Sequence, residues 1–216
     1  MAIAFDSASS AGAGTTSITV SHTCTGSNLV LFAGVKIYNG ANPGDKLSTV
    51  TYNGVSMTQL TKIAQNSGTE FYLYGLLSPS TGANNLIATP VSSVTEIDIF
   101  GISYTGVLQS GLPDAINSAN SPTSPNTISV TTVKDNCWLV GYFCSDNGSA
   151  VAAGTGTTQR ANITYAGMSC DSNGAKTPAG SYSLQATGTT TTTGIVASFA
   201  PNIYTPHFLG LMGVGS

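Results

Sequence analysis

The chain has 216 residues, a net charge of −3 and only 7% Asp, Glu, Lys and Arg, where a soluble domain typically has about 25%. Thr, Ser, Gly and Asn take the place of the missing charge, so few side chains are suited to acid–base catalysis. The six basic residues are scattered singly, which argues against a basic surface for nucleic acid or an anionic membrane. No apolar run reaches the roughly 20 residues that span a bilayer.

The first residues, Met1 to Asp6, have neither the basic region nor the long apolar core of a secretory signal. Two expectations stay open. Either the signal has been removed from this chain, or the protein leaves its cell without one, as virion proteins do on lysis.

Alternating and apolar runs between turn residues predict strands along most of the chain. In chain order the predicted strands are 17–21, 28–37, 50–58, 70–77, 85–89, 94–104, 127–132, 137–144, 159–166, 181–187 and 194–199. Asn53-Gly54 lies between two alternating stretches and is the strongest hairpin signal. Residues 108–126, rich in Pro, Ser and Asn, predict a long loop or an edge excursion. The threonine run 189–193 predicts an edge strand or hairpin.

No helical apolar stripe, repeat of solenoid period or shift in composition interrupts this pattern. It predicts an all-β protein, a single antiparallel β-sandwich of jelly-roll type with about ten to twelve strands over residues 1–200. A short C-terminal extension, residues 201–216, follows. Because so few groups can ionise, we also expect stability to depend weakly on pH and salt.

The extension has no charged residue and carries large apolar side chains separated by glycines. A contiguous apolar surface exposed to water usually marks an interaction site. We therefore predict that the tail packs against a neighbouring subunit or a partner protein through six residues: Tyr204, His207, Phe208, Leu209, Leu211 and Met212. The alternative is that the tail folds back over an open end of its own sandwich.

Several strand and turn segments are similar to those of a known type of module. They are Val50–Thr58, Phe71–Gly82, Gly101–Val107 with Pro113-Asp114, Ser129–Thr132, Trp138–Val140 and Thr157–Arg160. Over about residues 6–200 the chain resembles a β-sandwich module that is widespread in phage structural and bacterial extracellular proteins. The resemblance implies a jelly-roll or lectin-like sandwich used as a surface or appendage domain, and it implies no catalytic residues.

Two sets of residues are candidates for catalysis. A Ser/His/Asp arrangement could include His22, but no nucleophile-elbow sequence accompanies it, and His207 is isolated. Glu96 and Asp98 share one face of a strand, so they could serve glycoside hydrolysis or bind calcium. The simpler interpretation is a solvated face, with Ile97 and Ile99 pointing inward.

Aromatic residues and cysteines also allow two interpretations each. Five aromatic side chains could form a sugar-stacking platform or pack between sheets, and packing is the preferred interpretation: Tyr52, Tyr72, Tyr74, Tyr104 and Trp138. The four cysteines, Cys24, Cys137, Cys144 and Cys170, allow two disulfides or none. Cys137 and Cys144 are an odd number of residues apart on one strand, so they should face opposite sides and not pair.

These observations predict a non-enzymatic structural protein of a virion or an extracellular filament, without cofactor or metal. We expect it to assemble with itself, for which a trimer is one candidate, through sheet edges and the C-terminal tail. Its partners would be its own copies and other virion or surface proteins, and not nucleic acid or a membrane. The alternative is a carbohydrate-binding module for host recognition, with glycans as partners.

Overall fold

The computed structural model describes residues 1–40, 45–65, 68–121, 123–145, 148–164, 166–188 and 192–203. Within these ranges the protein consists of 17 strands in four antiparallel sheets and contains no helix. The predicted all-β antiparallel fold is confirmed. The strand number exceeds the predicted ten to twelve, in part because edge strands rich in Ser, Ala, Asn and Gly, such as Ala4–Gly14 and Ala115–Ser121, lack a hydrophobic pattern.

The first nine strands form what we call the N-terminal half. They are β1 (Ala4–Gly14), β2 (Ile18–Cys24), β3 (Val30–Tyr38), β4 (Leu47–Tyr52), β5 (Val55–Ser56), β6 (Thr58–Ala64), β7 (Thr69–Leu77), β8 (Gly82–Pro90) and β9 (Glu96–Thr105). The predicted hairpin is confirmed, since Asn53 and Gly54 connect β4 to β5 with φ of 48° and 76°. Those two positive values are what a tight two-residue hairpin requires.

The remaining eight strands form the C-terminal half. They are β10 (Ala115–Ser121), β11 (Asn126–Thr131), β12 (Trp138–Ser145), β13 (Val151–Ala153), β14 (Thr158–Ile163), β15 (Gly167–Asp171), β16 (Ser181–Gly188) and β17 (Thr192–Phe199). The segment 108–126 is therefore not only a loop, because it contains β10, which is an edge strand paired with β17.

The four sheets stack as four layers. The outer N sheet has the order β2-β8-β4-β5, and the inner N sheet has the order β1-β9-β3-β7-β6. The inner C sheet has the order β10-β17-β12-β15-β14, and the outer C sheet has the order β11-β16-β13. Where the sequence predicted one two-sheet sandwich, the structure has two sandwiches that share an interface between their inner sheets.

The two halves have the same topology. Replacing β1, β9, β3, β7 and β6 by β10, β17, β12, β15 and β14 converts one inner sheet into the other. The register is also the same, because Phe32 pairs with Ile102 in β3–β9 and the corresponding Val140 pairs with Ala197 in β12–β17. Strand β5 has no counterpart.

Local features repeat at corresponding positions. Asn28 and Asn136, each just before the central strand of its half and 108 positions apart, both have positive φ. The segments Thr58-Gln59 and Thr158-Gln159 each precede a shift in strand register at the next residue, so β6 and β14 carry the same bulge. The two halves therefore repeat one folding unit.

A carboxylate clamp is repeated as well. In each half an aspartate near the first strand accepts hydrogen bonds from a loop N–H and from a serine on the last strand. The donors to Asp6 are Thr25 N (3.0 Å) and Ser103 Oγ (2.7 Å), and those to Asp114 are Val133 N (2.8 Å) and Ser198 Oγ (3.1 Å). Charge-assisted hydrogen bonds of this kind are stronger than neutral ones.

Three apolar cores alternate with the sheets. Leu31 and Val35 of β3 face the core inside the N-terminal sandwich, and Leu139 and Phe143 of β12 face the core inside the C-terminal one. The other faces of the inner sheets form the core between the halves, which is rich in aromatic rings. Its largest members are Phe32, Phe71, Phe100, Tyr104, Tyr142 and Phe199. Burial on both faces makes the central strands continuous apolar runs.

The closest contact between the halves joins corresponding positions. The Tyr142 ring lies on Gly34, where an added Cβ would be 2.2 Å from the ring. Tyr142 Oη also donates a hydrogen bond to the Phe32 carbonyl, 3.2 Å away. The two inner sheets fit together because one has a ring where the other has no side chain.

Candidate functional site

An apolar groove lies where the described chain ends. It has a volume of about 490 Å³ and is lined by Met1, Ala2, Ile3, Asn136, Trp138, Ala175, Pro201 and Ile203. Met1 and Ile203 are among the most exposed large apolar residues of the described chain, at 65% and 57%. The six residues predicted as an interface, Tyr204 to Met212, lie outside the described residues, directly after this groove.

The groove is built by both chain ends and one end of the inner C sheet. The Met1 amino group donates a hydrogen bond to the Asn202 carbonyl at 2.7 Å, and Val107 pairs with Pro201 as an isolated bridge. Trp138, the first residue of β12, packs edge-on against Tyr104, with ring centroids 5.8 Å apart. The base of the groove is thus held by contacts between the two halves.

The outer sheets carry no charge. None of the strands β2, β4, β5, β8, β11, β13 and β16 contains Asp, Glu, Lys or Arg, so every strand-borne charge lies in the two inner sheets. The outward side chains are short and hydroxylated, for example Thr19, Ser21 and Thr23 on β2, and Thr127 and Ser129 on β11. The two outer faces lie on opposite sides of the four-layer stack and have the same chemistry.

His22 is a buried structural residue and its surroundings do not form a catalytic triad. Its Nδ1 lies 2.8 Å from Ser9 Oγ and its Nε2 lies 3.0 Å from Ser103 Oγ. Because the Ser103 hydroxyl donates to Asp6, its oxygen accepts from Nε2–H, which leaves Nδ1 to accept from Ser9. Burial lowers the pKa of His22 to about 4, against a weaker opposing effect of Asp6. Asp6 contacts a serine and not the imidazole.

Glu96 and Asp98 are not on a solvated face, which corrects the simpler interpretation of the sequence. Ile97 and Ile99 do point into the N-terminal core, as predicted. Asp98, however, is only 1% exposed, because its face of β9 is covered by the C-terminal half. Lys36 of β3 lies between the carboxylates, with Nζ 2.7 Å from Glu96 Oε1 and 3.4 Å from Asp98 Oδ2.

The two carboxyl groups of this cluster differ in acidity. Burial raises the pKa of Asp98 to about 6, despite the opposing effects of Lys36 and of the Ala13 N–H, which donates to Oδ1 at 2.9 Å. Burial acts in the same direction on Glu96, but the hydrogen bonds from Lys36 and Asp98 and the charge of Lys36 together outweigh it and lower the pKa of that carboxyl. A cavity of about 280 Å³ opens beside both carboxyl groups.

A second buried ion pair belongs to the C-terminal half. Arg160, at the bulge of β14, lies with Nε 2.8 Å from Asp171 Oδ2, and its guanidinium stacks over the Phe5 ring at 4.1 Å. Tyr104 donates a hydrogen bond to the same Asp171 oxygen at 3.0 Å, so this pair also connects the halves. The Asp171 side chain is fully buried among these donors.

Packing is the correct interpretation for most of the aromatic residues. Tyr52, Tyr72, Tyr74 and Tyr104 are all buried, and Tyr72 and Tyr74 share the face of β7 opposite to Phe71 and Leu73, as predicted. Trp138 is half-buried and lines the groove. All four cysteines are buried, and none of them forms a disulfide. Among the described residues, no group of three or more His, Cys, Asp or Glu could hold a metal ion.

Lys36 is the member of the carboxylate cluster that was not predicted from the sequence. It interrupts the apolar run of β3, and a charge within a strand that is apolar on both faces is a signal for a buried partner.

No helix in the described part of the chain is long and apolar enough to cross a membrane. The chain matches no protein-family model and no curated protein. Its function therefore has to be inferred from its own residues.

Proposed function

We propose that this protein is a non-enzymatic structural protein of a virion or an extracellular filament, which assembles with its own copies through sheet edges and the C-terminal tail. The observation that carries this proposal is the chemistry of the outer edge strands. Strands β2, β5, β11 and β13 lie at the edges of the outer sheets and contain neither a charged residue nor a proline.

Monomeric β-proteins usually protect such edges, because unpaired N–H and C=O groups pair readily with another chain. Lysine, inward-pointing charge, proline and very short strands are common means of protection. Strands β5 and β13 are short, with two and three residues, but the longer edge strands β2 and β11 have none of these features. Thr and Ser on the outer faces add hydroxyl groups that can donate and accept hydrogen bonds across an interface. A surface of this kind suits repeated contact between identical subunits, with little electrostatic repulsion.

The tail is the second proposed assembly element. Its apolar residues Tyr204, His207, Phe208, Leu209, Leu211 and Met212 follow an apolar groove, and leaving such side chains in water costs roughly 25 cal/mol per Å². Packing the tail of one copy against a neighbouring subunit would remove both surfaces from water.

The strand order supports a jelly-roll assignment for each half and, with it, a virion or surface setting. If β4 and β5 count as one strand, each half has eight strands. The first, eighth, third, sixth and fifth are neighbours in the inner sheet, and the second, seventh and fourth are neighbours in the outer one. This alternation between two sheets is the winding expected of two Greek keys in a jelly roll. Jelly rolls occur in viral capsids and lectins.

A second candidate function, glycan binding, rests on Trp138. Its half-buried ring and the neighbouring Asn136 side chain line the groove, and an aromatic face with an adjacent amide is a common arrangement for binding sugars. A glycan array probed with the purified chain tests this alternative. Binding that is lost in Trp138→Ala, while the variant keeps its β-sheet circular dichroism, would favour it over assembly.

Size-exclusion chromatography with light scattering tests assembly. The full chain should elute as a trimer or larger species. Deleting residues 204–216, or introducing Ser21→Lys with Ser129→Lys on the outer edge strands, should shift it towards the monomer without loss of β-sheet signal. Val91→Lys adds a charge at an exposed loop position and is the matched control, which should assemble as the full chain does. A full chain that stays monomeric at high concentration would overturn the proposal.

A further inference from the structure

The Lys36 cluster combines a primary amine, a buried carboxyl group and a second carboxylate in contact with the amine. Lys36 and Asp98 are directly opposite each other on neighbouring strands β3 and β9, 62 residues apart in the chain. Nζ lies 3.4 Å from Asp98 Oδ2, one bond from the carboxyl carbon. Both side chains are almost fully buried, with exposures of 6% and 1%.

From this geometry we infer that Lys36 and Asp98 form an intramolecular isopeptide bond, with Glu96 as the group that transfers protons. This inference does not depend on the proposed function, since it concerns a covalent modification within one chain. The bond would join β3 and β9, which are neighbouring strands of the inner N sheet. It would lie at the edge of the interface with the C-terminal half.

The reaction is a condensation that needs no oxidant, metal or cofactor. A proton of the Lys36 ammonium passes through the Glu96 carboxylate to Asp98, which gives a neutral amine and a neutral acid. The amine lone pair attacks Asp98 Cγ, and the N–C bond forms. The C–O bond then breaks, and the hydroxyl leaves as water with a second proton of the amine, again carried by Glu96. The products are one amide and one water molecule.

The surroundings assign different roles to the two carboxyl groups. Burial raises the pKa of Asp98, so that this group is readily protonated and can act as the electrophile. Glu96 is 38% exposed and the hydrogen bond of Lys36 lowers its pKa, so it stays an ionised proton acceptor. Burial opposes the charge on Lys36, but Glu96 and Asp98 together raise the pKa of the amine. The ammonium therefore needs a base in contact with it, and Glu96 is that base.

Lys36 and Asp98 are almost fully buried, which limits the access of water to the amide, and their fixed positions make the attack effectively unimolecular. The described part of the chain contains two other Lys–Asp pairs at similar distances, Lys62–Asp45 at 3.1 Å and Lys134–Asp114 at 3.5 Å. In both the lysine is 40% or more exposed, so water solvates the amine. They provide matched internal controls in which no bond is expected.

Mass spectrometry of the intact, reduced and denatured full chain tests the inference directly. The expected mass is that of the sequence less one water molecule. Trypsin cuts after Lys and Arg, and an acylated Lys36 resists cleavage, so the digest should contain fragment 1–46 joined to fragment 63–134. Fragmentation should place the bond between Lys36 and Asp98.

Two variants make the test specific. Lys36→Arg keeps the positive charge beside both carboxylates but lacks the attacking amine, so it should have its full sequence mass and separate fragments. Glu96→Gln keeps a hydrogen-bonding group and cannot accept the proton, so the joined fraction should fall at least severalfold at equal times after synthesis. A full sequence mass for the unmodified protein, a bond at Glu96 in place of Asp98, or a water loss without joined fragments would each overturn the inference.

Discussion

The N-terminal and C-terminal halves have one topology and place their buried charges at different positions. Lys36 and Asp98 of the N-terminal half correspond in register to Cys144 and Thr193 of the C-terminal half, which are uncharged. In the opposite sense, Arg160 and Asp171 correspond to Leu60 and Gly75, which are apolar. At the positions of these two ion pairs, each half is neutral where the other is charged.

The same complementarity holds for size, because Tyr142 fills the space that its counterpart Gly34 leaves open. If two identical surfaces met about a two-fold axis, a position on the axis would face its own copy, so two rings or two glycines would meet at the Gly34–Tyr142 position. Within a single chain the two copies can differ, so large meets small and each buried charge has its own partner. The inner interface of this protein is specific because its halves are not identical.

The largest effect is expected at the Gly34–Tyr142 contact. Gly34→Val places a side chain inside the Tyr142 ring, which is fully buried and cannot move aside, so unfolding free energy should fall by about 3 kcal/mol or more. Tyr142→Ala alone should cost a similar amount through the cavity it leaves. The double variant should be more stable than the sum of the two losses predicts, as measured by urea unfolding. Strict additivity would contradict the contact.

The second expected effect concerns the ion pair of the C-terminal half. Arg160→Leu leaves Asp171 buried with one charge partner fewer and should cost about 3 kcal/mol of unfolding free energy. Adding Asp171→Gly copies the Leu60 and Gly75 pair of the N-terminal half and removes the unpaired charge, so part of the loss should be recovered. If the double variant is less stable than Arg160→Leu, the correspondence between the halves does not extend to this site.

The third expected effect is a pH dependence of stability that arises from His22. The corresponding residue of the C-terminal half is Val130. Its folded pKa of about 4 lies below the ordinary value of 6.5, so the unfolded chain takes up the proton first as pH falls. Stability should therefore decrease between about pH 6.5 and pH 4, by on the order of 3 kcal/mol. His22→Val should flatten this part of a stability curve measured by denaturant unfolding. An equally steep curve in the variant would place the acid sensitivity elsewhere.

The smallest loss of stability is expected from replacing either of the two corresponding asparagines with positive φ, Asn28 and Asn136. Asn28→Ala and Asn136→Ala each force alanine into the left-handed region, which costs about 1 kcal/mol. Because both residues precede the central strand of their half, we expect the two losses to be equal within error in thermal unfolding. A loss at only one position would show that the repeated backbone geometry matters in one half alone.

The class of fold could be predicted from the sequence, and the pairing of the halves could not. Strand runs such as Leu29–Ile37 and the Asn53-Gly54 hairpin depend on local chemistry, which periodicity detects. Strand β1 was missed because its Ser, Ala and Gly residues have no hydrophobic alternation. The repeat escaped notice because the inner strands differ most at the residues that contact each other, such as Gly34 and Tyr142.

The buried carboxylate cluster had a signal that was misinterpreted. Phe100, Ile102 and Tyr104 lie on the same face of β9 as Asp98, so that face could not be solvated. His22 and Asp98 are both buried ionisable groups, so the structure argues against the expectation of weak pH dependence. The tail residues 204–212 stay a prediction, because their positions lie outside the described residues.

Electron microscopy of the purified full chain, imaged over a range of concentrations beside the Ser21→Lys/Ser129→Lys variant, tests the central claim of self-assembly most directly. The uncharged outer edge strands β2 and β11 predict regular filaments, sheets or closed particles for the full chain and isolated particles for the variant. Isolated single chains in both samples at every concentration would contradict the account.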